Sequence, residues 1–101
     1  MINHTVIWKL KENALGNTKE TNMELLKEKL TDLVGKVDEI IDLKVGFNSV
    51  ETPSSYDFIL NVLFKNKEDL NSYIINEHHK KVGLFVREVI ESRVSIDYEV
   101  N

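Results

Sequence analysis

The stretch NKEDLNSYIINEHHKKVGLFVREVI, residues 66–90, decides the fold of this chain. Asn66 is a suitable helix N-cap, and the acidic residues that follow it suit the positive end of a helix. Later in the stretch, apolar residues recur at helical spacing: Val82, Phe85, Val86, Val89 and Ile90. We therefore predict one helical segment from Asn66 to about residue 76 and another from about residue 77 to residue 90, with Tyr73, His78 and His79 close to their junction.

Four other stretches alternate between apolar and polar residues, which is the pattern of half-buried strands. They are residues 4–11, 41–48, 56–64 and 94–100. Residues 12–22 are mostly polar and predict a loop, after which Thr21 and Glu24 fit a capping box at the start of a helix that frays near Gly35. In the last strand we expect the apolar side, Val94, Ile96, Tyr98 and Val100, to face the helices.

The order strand, helix, strand, strand, helix, strand predicts a single α+β domain over residues 1–101. Its arrangement would be ferredoxin-like, β-α-β-β-α-β, an antiparallel sheet with the helices on one face. The opposite face shows Ile7, Ile59 and Leu63, which no helix is left to cover. An exposed apolar strip on a sheet indicates a partner. We expect that partner to be a second copy of the chain, packed sheet against sheet as a homodimer.

The composition argues against several classes of function. The formal net charge is −4, so we expect no nucleic acid and no membrane as partner, because both need clustered Lys and Arg. There is no cysteine, which excludes disulfides, thiolate nucleophiles and cysteine-ligated metals. No apolar run is long enough to span a bilayer, and the first residues do not resemble a signal peptide. We therefore expect a cytoplasmic protein.

The candidates for acid–base chemistry are two histidines and a tyrosine. His4 lies on the helix-facing side of the first strand, and Tyr73 and one of His78 or His79 could converge on it between sheet and helices. There an imidazole can move protons, and a phenol can orient it or polarise a carbonyl. Periodicity leaves open which of the adjacent histidines faces inward, because both lie near edges of the apolar helix face. A buried His4 or Tyr73 also fits an ordinary hydrogen-bonded core residue.

The sequence shows no histidine pair at i, i+4 spacing and no compact cluster of His, Asp and Glu, so we expect neither a metal nor another cofactor. Trp8 and Phe58 point to the helix side, where they either pack the core or line an apolar pocket. Gly83, inside a predicted helix, fits a close approach to a strand or a ligand. We expect the ligand-binding residues to be Val6, Trp8, Phe58, Leu60, Val82, Gly83 and Val86.

Three segments resemble the stress-responsive A/B barrel domain family of dimeric α+β barrels: H-T-V-I-W-K-L-K at 4–11, Y-I-I-N-E-H-H-K-K-V-G-L-F-V at 73–86 and S-I-D-Y-E-V at 95–100. The resemblance covers nearly the whole chain and implies a ferredoxin-like protomer whose sheet forms a barrel with that of its twin. One enzyme of this type is the plant olivetolic acid cyclase, which closes a linear polyketide by aldol condensation. By this resemblance His79 is the catalytic histidine, Tyr73 its supporting tyrosine and His4 a pocket histidine.

The chain differs from that cyclase at several pocket positions. Phe58 replaces another pocket histidine, Leu30 stands about where a tyrosine is expected, and the usual H-P-x-H run reads N-E-H-H at residues 76–79. Trp8 is larger than the aliphatic residue expected at its position. These differences argue against a faithful polyketide cyclase.

Three functions remain compatible with the sequence. The first is a homodimer that binds a small apolar or carbonyl-bearing metabolite and uses His79 as a general base in cyclase-like or lyase-like chemistry. The second uses the same pocket for binding without turnover. The third is a structural or stress-related dimer in which Trp8 and Phe58 close the pocket. A pocket of roughly a few hundred cubic ångströms would favour a ligand over the third function.

Overall fold

The computed structural model describes residues 1–101, and its elements are β1 (Ile2–Leu10), β2 (Asn13–Ala14), β3 (Asn17–Thr18), α1 (Lys19–Thr31), a 3₁₀ turn (Asp32–Gly35), β4 (Asp42–Phe47), β5 (Phe58–Phe64), α2 (Lys67–Ile75), α3 (Glu77–Val89) and β6 (Ile90–Glu99). Four strands form one antiparallel sheet in the order β4-β5-β1-β6, while β2 and β3 pair separately as a small hairpin. The predicted ferredoxin-like α+β fold is confirmed. None of the helices has the length and apolar composition needed to span a bilayer.

The start of α1 differs from the prediction. The helix begins at Lys19 and its N-cap is Thr18, whose Oγ1 accepts a hydrogen bond from the Thr21 backbone N–H at 3.3 Å. The predicted loop before the helix contains the β2–β3 hairpin, which turns at Gly16 with a φ of 75° that glycine adopts easily. The fully buried Asn22 of α1 donates to a hairpin carbonyl at 3.1 Å. The contact between the hairpin and α1 explains why the helix starts before Thr21, where the capping motif predicted its start.

The core lies between the sheet and the helices. Alternate residues of the two central strands point toward the helices and are buried: Ile2, His4, Val6, Trp8 and Leu10 on β1, and Phe58, Leu60, Val62 and Phe64 on β5. α1 covers them with Leu26 and Leu30, and α2 and α3 add Leu70, Tyr73, Val82 and Val89. Each fully buried aliphatic or aromatic side chain contributes roughly 1.5–3 kcal/mol to burial free energy. The predicted helix-facing sides of β1 and β5 are therefore correct.

The predicted helix-facing side of β6 is wrong. Lys9 pairs with Ser92 while Leu10 pairs with Ile90, so Glu91 is left without a partner and forms a bulge. Beyond the bulge, Arg93 lies opposite Trp8 on the helix side, and the apolar residues lie on the other side. Those apolar residues, Val94, Ile96 and Tyr98, are 47%, 60% and 46% exposed. Because strand side chains alternate, a single unpaired residue exchanges the two faces of the strand.

The sheet face away from the helices, which we call the open face, carries an apolar row across three strands. Ile7 pairs with Ile59 on one side and with Val94 on the other. The next row is polar at its centre, where Thr5 Oγ1 donates to Asn61 Oδ1 at 2.7 Å. The open face is thus more apolar than the sequence indicated, because β6 adds its apolar residues to the predicted Ile7, Ile59 and Leu63.

Candidate functional site

A cavity of about 120 Å³ lies between the sheet, α1 and α3. All three predicted catalytic residues, His4, Tyr73 and His79, line it. So do the predicted ligand-binding residues other than Phe58, namely Val6, Trp8, Leu60, Val82, Gly83 and Val86. Two further residues, Leu30 and Arg93, complete the lining. The structure therefore brings together residues from both ends and the middle of the chain in one hollow under the helices.

The junction of α2 and α3 positions Tyr73 beside His79. Asn76 adopts an extended conformation (φ −64°, ψ 137°) that ends α2, and its side chain caps α3 by accepting from the His78 backbone N–H at 2.8 Å. The carbonyl of Ile74, in the last turn of α2, has no helical partner and accepts a hydrogen bond from His79 Nδ1 at 3.1 Å. As a result, the ring centroids of Tyr73 and His79 are 4.3 Å apart.

His78 points away from this cavity. Its side chain is exposed and lies in a separate surface depression between α1 and α3, with Lys29, Asp32 and Lys81 among its neighbours. Of the adjacent histidines that the sequence left undecided, His79 is the one placed beside Tyr73.

The hydrogen bond to Ile74 also determines the tautomer of His79. A carbonyl oxygen can only accept, so Nδ1 carries the proton and Nε2 keeps its lone pair. Partial burial of the ring lowers the pKa of His79 below its ordinary value of 6.5, although the bond to Ile74 opposes this effect. Coulombic interactions with His4 and Arg93 lower the pKa of His79 further. The ring is therefore a neutral imidazole near neutral pH, which is the form a general base requires.

Two hydrogen-bonding groups in the cavity wall have no partner. The Tyr73 hydroxyl and the Trp8 indole Nε1 are both buried and make no hydrogen bond. Burial raises the pKa of the Tyr73 hydroxyl well above its ordinary value, with the charge of Arg93 opposing the rise, so the phenol stays protonated and able to donate. Buried polar groups are nearly always satisfied in native proteins. Both residues line the same cavity, so a polar molecule bound there is one means of satisfying these donors.

His4 is held by Asp97. Its Nδ1 donates to Asp97 Oδ1 at 2.5 Å, and its ring lies 5.9 Å from that of Tyr73 at a steep angle. The side chain is buried and hydrogen-bonded, as an ordinary core histidine would be, and it also forms part of the cavity wall. Both interpretations of His4 made from the sequence therefore describe its surroundings.

Sequence reasoning missed Arg93 and Asp97. The apolar residues of β6 were expected to face the helices, which puts Asp97 on the open face, and Arg93 was given no role. The signal that could have located them was the presence of polar or charged residues at every second position of a strand whose neighbour, β1, buries His4 and Trp8. Without knowing the position of the bulge at Glu91, the sequence does not show which side of β6 faces the helices, because the pairing register determines that side.

Phe58 lies outside the cavity, whereas Gly83 lies in its wall. Phe58 points to the helix side but packs against Trp8 and Phe47, at ring distances of 5.7 and 5.4 Å, and lines a different depression near the end of the sheet. A Cβ placed on Gly83 would meet nothing within 4 Å, so no strand requires a glycine there. Of the two reasons considered for Gly83, only its position in the cavity wall remains. No group of three or more His, Cys, Asp or Glu side chains is arranged to hold a metal ion.

Removing the Tyr73 hydroxyl is expected to stabilise the protein. Tyr73→Phe keeps the ring packing but deletes a buried donor that has no partner, so the free energy of unfolding should rise by about 1 kcal/mol or more. Urea denaturation of the ligand-free protein measures this. Tyr56→Phe is the matched control, because that residue is only half buried, and it should change stability by less than about 0.5 kcal/mol. A less stable Tyr73→Phe protein would show that the hydroxyl is already satisfied.

Comparison with known proteins identifies the family. Residues 2–100 match the sequence profile of the Stress Responsive A/B Barrel Domain, abbreviated Dabb. The chain belongs to this family. No protein of curated function matches the sequence. The resemblance noted at residues 4–11, 73–86 and 95–100 therefore identified the family correctly.

Solved structures with the same fold as this Dabb domain come from several organisms. A dimeric protein of unknown function with a ferredoxin-like fold from Bacteroides fragilis has a TM-score of 0.85 at 28% identity, over 98% of this chain and 95% of that one. A dimeric ferredoxin-like protein of unknown function from Thermobifida fusca has a TM-score of 0.84 at 14% identity, over 98% and 90%. The hydroxynitrile lyase of Passiflora edulis has a TM-score of 0.83 at 13% identity, over 99% and 93%.

Proposed function

We propose that this Dabb protein is a cytoplasmic homodimer that binds a small carbonyl compound in the cavity of each protomer and removes a proton from the carbon next to the carbonyl. His79 is the general base, Tyr73 polarises the carbonyl oxygen, and His4 helps to orient the ligand. The observation that carries the proposal is the pairing of a neutral His79 with a protonated Tyr73, at 4.3 Å between rings, in a cavity whose buried donors lack partners.

The size of the cavity limits the ligand. Water takes about 30 Å³ per molecule, and an apolar cavity of about 150 Å³ holds benzene. A cavity of about 120 Å³ therefore suits a compound of about the size of benzene, well below the roughly 300–1,000 Å³ of sites for drug-sized ligands. The bulk of Trp8, in the wall, explains why the space is small. A linear polyketide would not fit.

The chemistry follows from the donors and acceptors. The lone pair of His79 Nε2 takes a proton from the carbon beside the carbonyl, so the C–H bond breaks and its electron pair moves into the enolate. The negative charge develops on the carbonyl oxygen, where the Tyr73 hydroxyl donates a hydrogen bond that strengthens as the charge grows. Asp97 fixes the ring of His4 by accepting from its Nδ1, which leaves Nε2 of His4 for contact with the ligand. An enzyme of the same fold, the hydroxynitrile lyase of Passiflora edulis, supports an enzymatic role by analogy of fold only.

The open face supports the homodimer. Ile59, Val94, Ile96 and Tyr98 are all at least about a third exposed on the lone protomer, and together with Ile7 they make a continuous apolar surface. Surfaces of this kind are usually covered by a partner. Two proteins of the same fold are dimeric, which supports a second copy as the partner.

A second candidate is a structural dimer without a ligand. The packing of Trp8 against Phe58, at 5.7 Å between rings, favours it, because the indole already occupies part of the space between sheet and helices. The unsatisfied Trp8 Nε1 and Tyr73 hydroxyl favour the ligand-binding function instead, since a closed core would leave both donors without partners.

The pH dependence of proton exchange tests the proposed function. Acetoacetamide in D₂O, whose central CH₂ lies between two carbonyls, is the probe, and ¹H NMR follows the loss of the CH₂ signal with and without protein. Only neutral His79 can act as a base, and its pKa is below 6.5. The protein-dependent rate should therefore rise with pH, with a midpoint below 6.5, and be level by about pH 7. No exchange above the protein-free rate at any pH would overturn the enzymatic part of the proposal.

A further inference from the structure

The bulge turns one face of β6 toward the helices. The cation on this face, Arg93, lies at the mouth of the cavity. Arg93 lies opposite Trp8 in the register of β1 and β6, and it is part of the cavity wall, although much of its side chain is exposed. Its guanidinium is not within ion-pair distance of any carboxylate: the salt bridges of the protein involve His4, Lys19 and Lys44. Its one side-chain hydrogen bond, to Ser95 Oγ, is 3.5 Å long. Most of its five N–H donors are therefore free to bind a ligand.

Deeper in the same cavity, the unsatisfied groups are also donors. Trp8 Nε1 can only donate, and the Tyr73 phenol stays protonated, so a complementary ligand must present acceptor atoms to both. Asp97 is the nearby acidic residue on this side of β6, and its Oδ1 already accepts from His4. The wall thus combines a cation at the mouth with two buried donors inside. A ligand with negative charge and acceptor atoms complements the cation and these two donors.

Arg93, Tyr73 and His79 line the same small cavity, of about 120 Å³. The charge of Arg93 also lowers the pKa of both Tyr73 and His79. A compound of that size can place one end at the cavity mouth and its other end beside the Tyr73 ring. Arg binds carboxylates through two parallel hydrogen bonds, which also fixes the orientation of the ligand.

We propose that the ligand is a small oxo acid whose carboxylate is bound by Arg93 at the mouth while its carbonyl oxygen accepts from Trp8 Nε1 and the Tyr73 hydroxyl. This inference rests on the proposed function and specifies its substrate class. In this orientation the carbon between the carboxylate and the carbonyl faces the His79 side of the cavity. The net charge of the chain is −4, so local attraction by Arg93 is needed to hold an anion there.

A pair of probes with the same shape and different charge tests the proposal. Acetoacetate and acetoacetamide have equal numbers of non-hydrogen atoms, but only acetoacetate is an anion. Trp8 is the single tryptophan of the chain, so its indole N–H gives one identifiable cross-peak in a ¹H–¹⁵N spectrum. Titration of each probe against that cross-peak measures both affinities and reports directly on the Nε1 donor. We expect acetoacetate to bind roughly tenfold more tightly, a factor that corresponds to about 1.4 kcal/mol.

Arg93→Gln should abolish this preference for acetoacetate, and its far-ultraviolet circular dichroism spectrum tests whether the variant is folded. Arg87→Gln is the matched control, because it removes the same charge from the exposed surface of α3 and should keep the preference. As a measurement independent of any substitution, added salt should weaken acetoacetate binding to the unmodified protein but not acetoacetamide binding.

The outcomes separate this inference from the proposed function. Equal affinities for the two probes, or a preference that survives in Arg93→Gln, would overturn the oxo-acid proposal and leave carbonyl binding intact. If neither probe moves the Trp8 cross-peak, the proposed ligand-binding function fails together with the inference.

Discussion

Substituting His79 by glutamine is expected to lower the protein-dependent exchange of acetoacetamide by roughly 10²- to 10⁴-fold, the usual contribution of a general base. Glutamine is close to histidine in size and keeps a side-chain N–H that can donate to the Ile74 carbonyl, so the junction between α2 and α3 should be preserved. What it lacks is a basic nitrogen. The affinity for acetoacetamide, measured at the Trp8 cross-peak, should change little, because the base contributes mainly in the transition state.

The adjacent histidine provides the control for this experiment. His78→Gln makes the same chemical change one residue away on the exposed side of α3, and it should leave the exchange rate as it is. If both variants keep the full rate, His79 is not the base. If both lose it equally, the effect comes from the helix junction and not from the imidazole in the cavity.

Replacing Ile7 by lysine is expected to raise the dissociation constant of the homodimer by roughly a hundredfold or more. Ile7 is at the centre of the apolar row on the open face, between Ile59 and Val94. In a sheet-to-sheet dimer each protomer would bury one ammonium group at the interface, and neither group would have an opposite charge to pair with. In the lone protomer the same side chain can reach water, so the fold itself should be retained.

Sedimentation equilibrium measures this change, with far-ultraviolet circular dichroism as the test of folding. Leu84→Lys is the matched control: Leu84 is 60% exposed on α3, away from the open face, and the substitution adds the same charge. The control should remain dimeric. An Ile7→Lys protein that stays dimeric at micromolar concentration would exclude the open face as the interface, and a monomeric unmodified protein would exclude the dimer.

Most of the fold followed from residue periodicity, because burial on one side leaves a clear pattern in the sequence. The alternation in β1 and β5 and the apolar stripe of α3 were each assigned to the correct side. In these elements the buried face is also the apolar face, so hydrophobicity alone is sufficient. Strand β6 is different. Residues 93–99 are exposed on both faces of the strand, and its more apolar face is the one away from the helices.

The site could be predicted in outline but not in its charged part. His4 was expected on the helix side because its strand neighbours determine its direction, and the family resemblance implied that Tyr73 supports His79. To predict which of His78 and His79 faces the cavity, one must know that α2 ends and α3 begins at Asn76. This break determines how α3 is rotated about its axis relative to the sheet. Helix rotation of that kind depends on packing and not on local propensity. Arg93 and Asp97 required the position of one bulge, for which the sequence around Glu91 carries no clear signal.

The bulge at Glu91 has a consequence for how this protein can change during evolution. One strand provides both Arg93, the proposed ligand contact, and the exposed apolar residues of the proposed dimer interface, and the unpaired residue at the bulge determines the side on which each set lies. Insertions or deletions near residue 91 would therefore exchange the two sets and damage recognition and assembly in a single event. Point substitutions farther along the strand, in contrast, can adjust either property independently. We therefore expect ligand preference and dimer affinity to vary independently among relatives only where the length of this strand is unchanged.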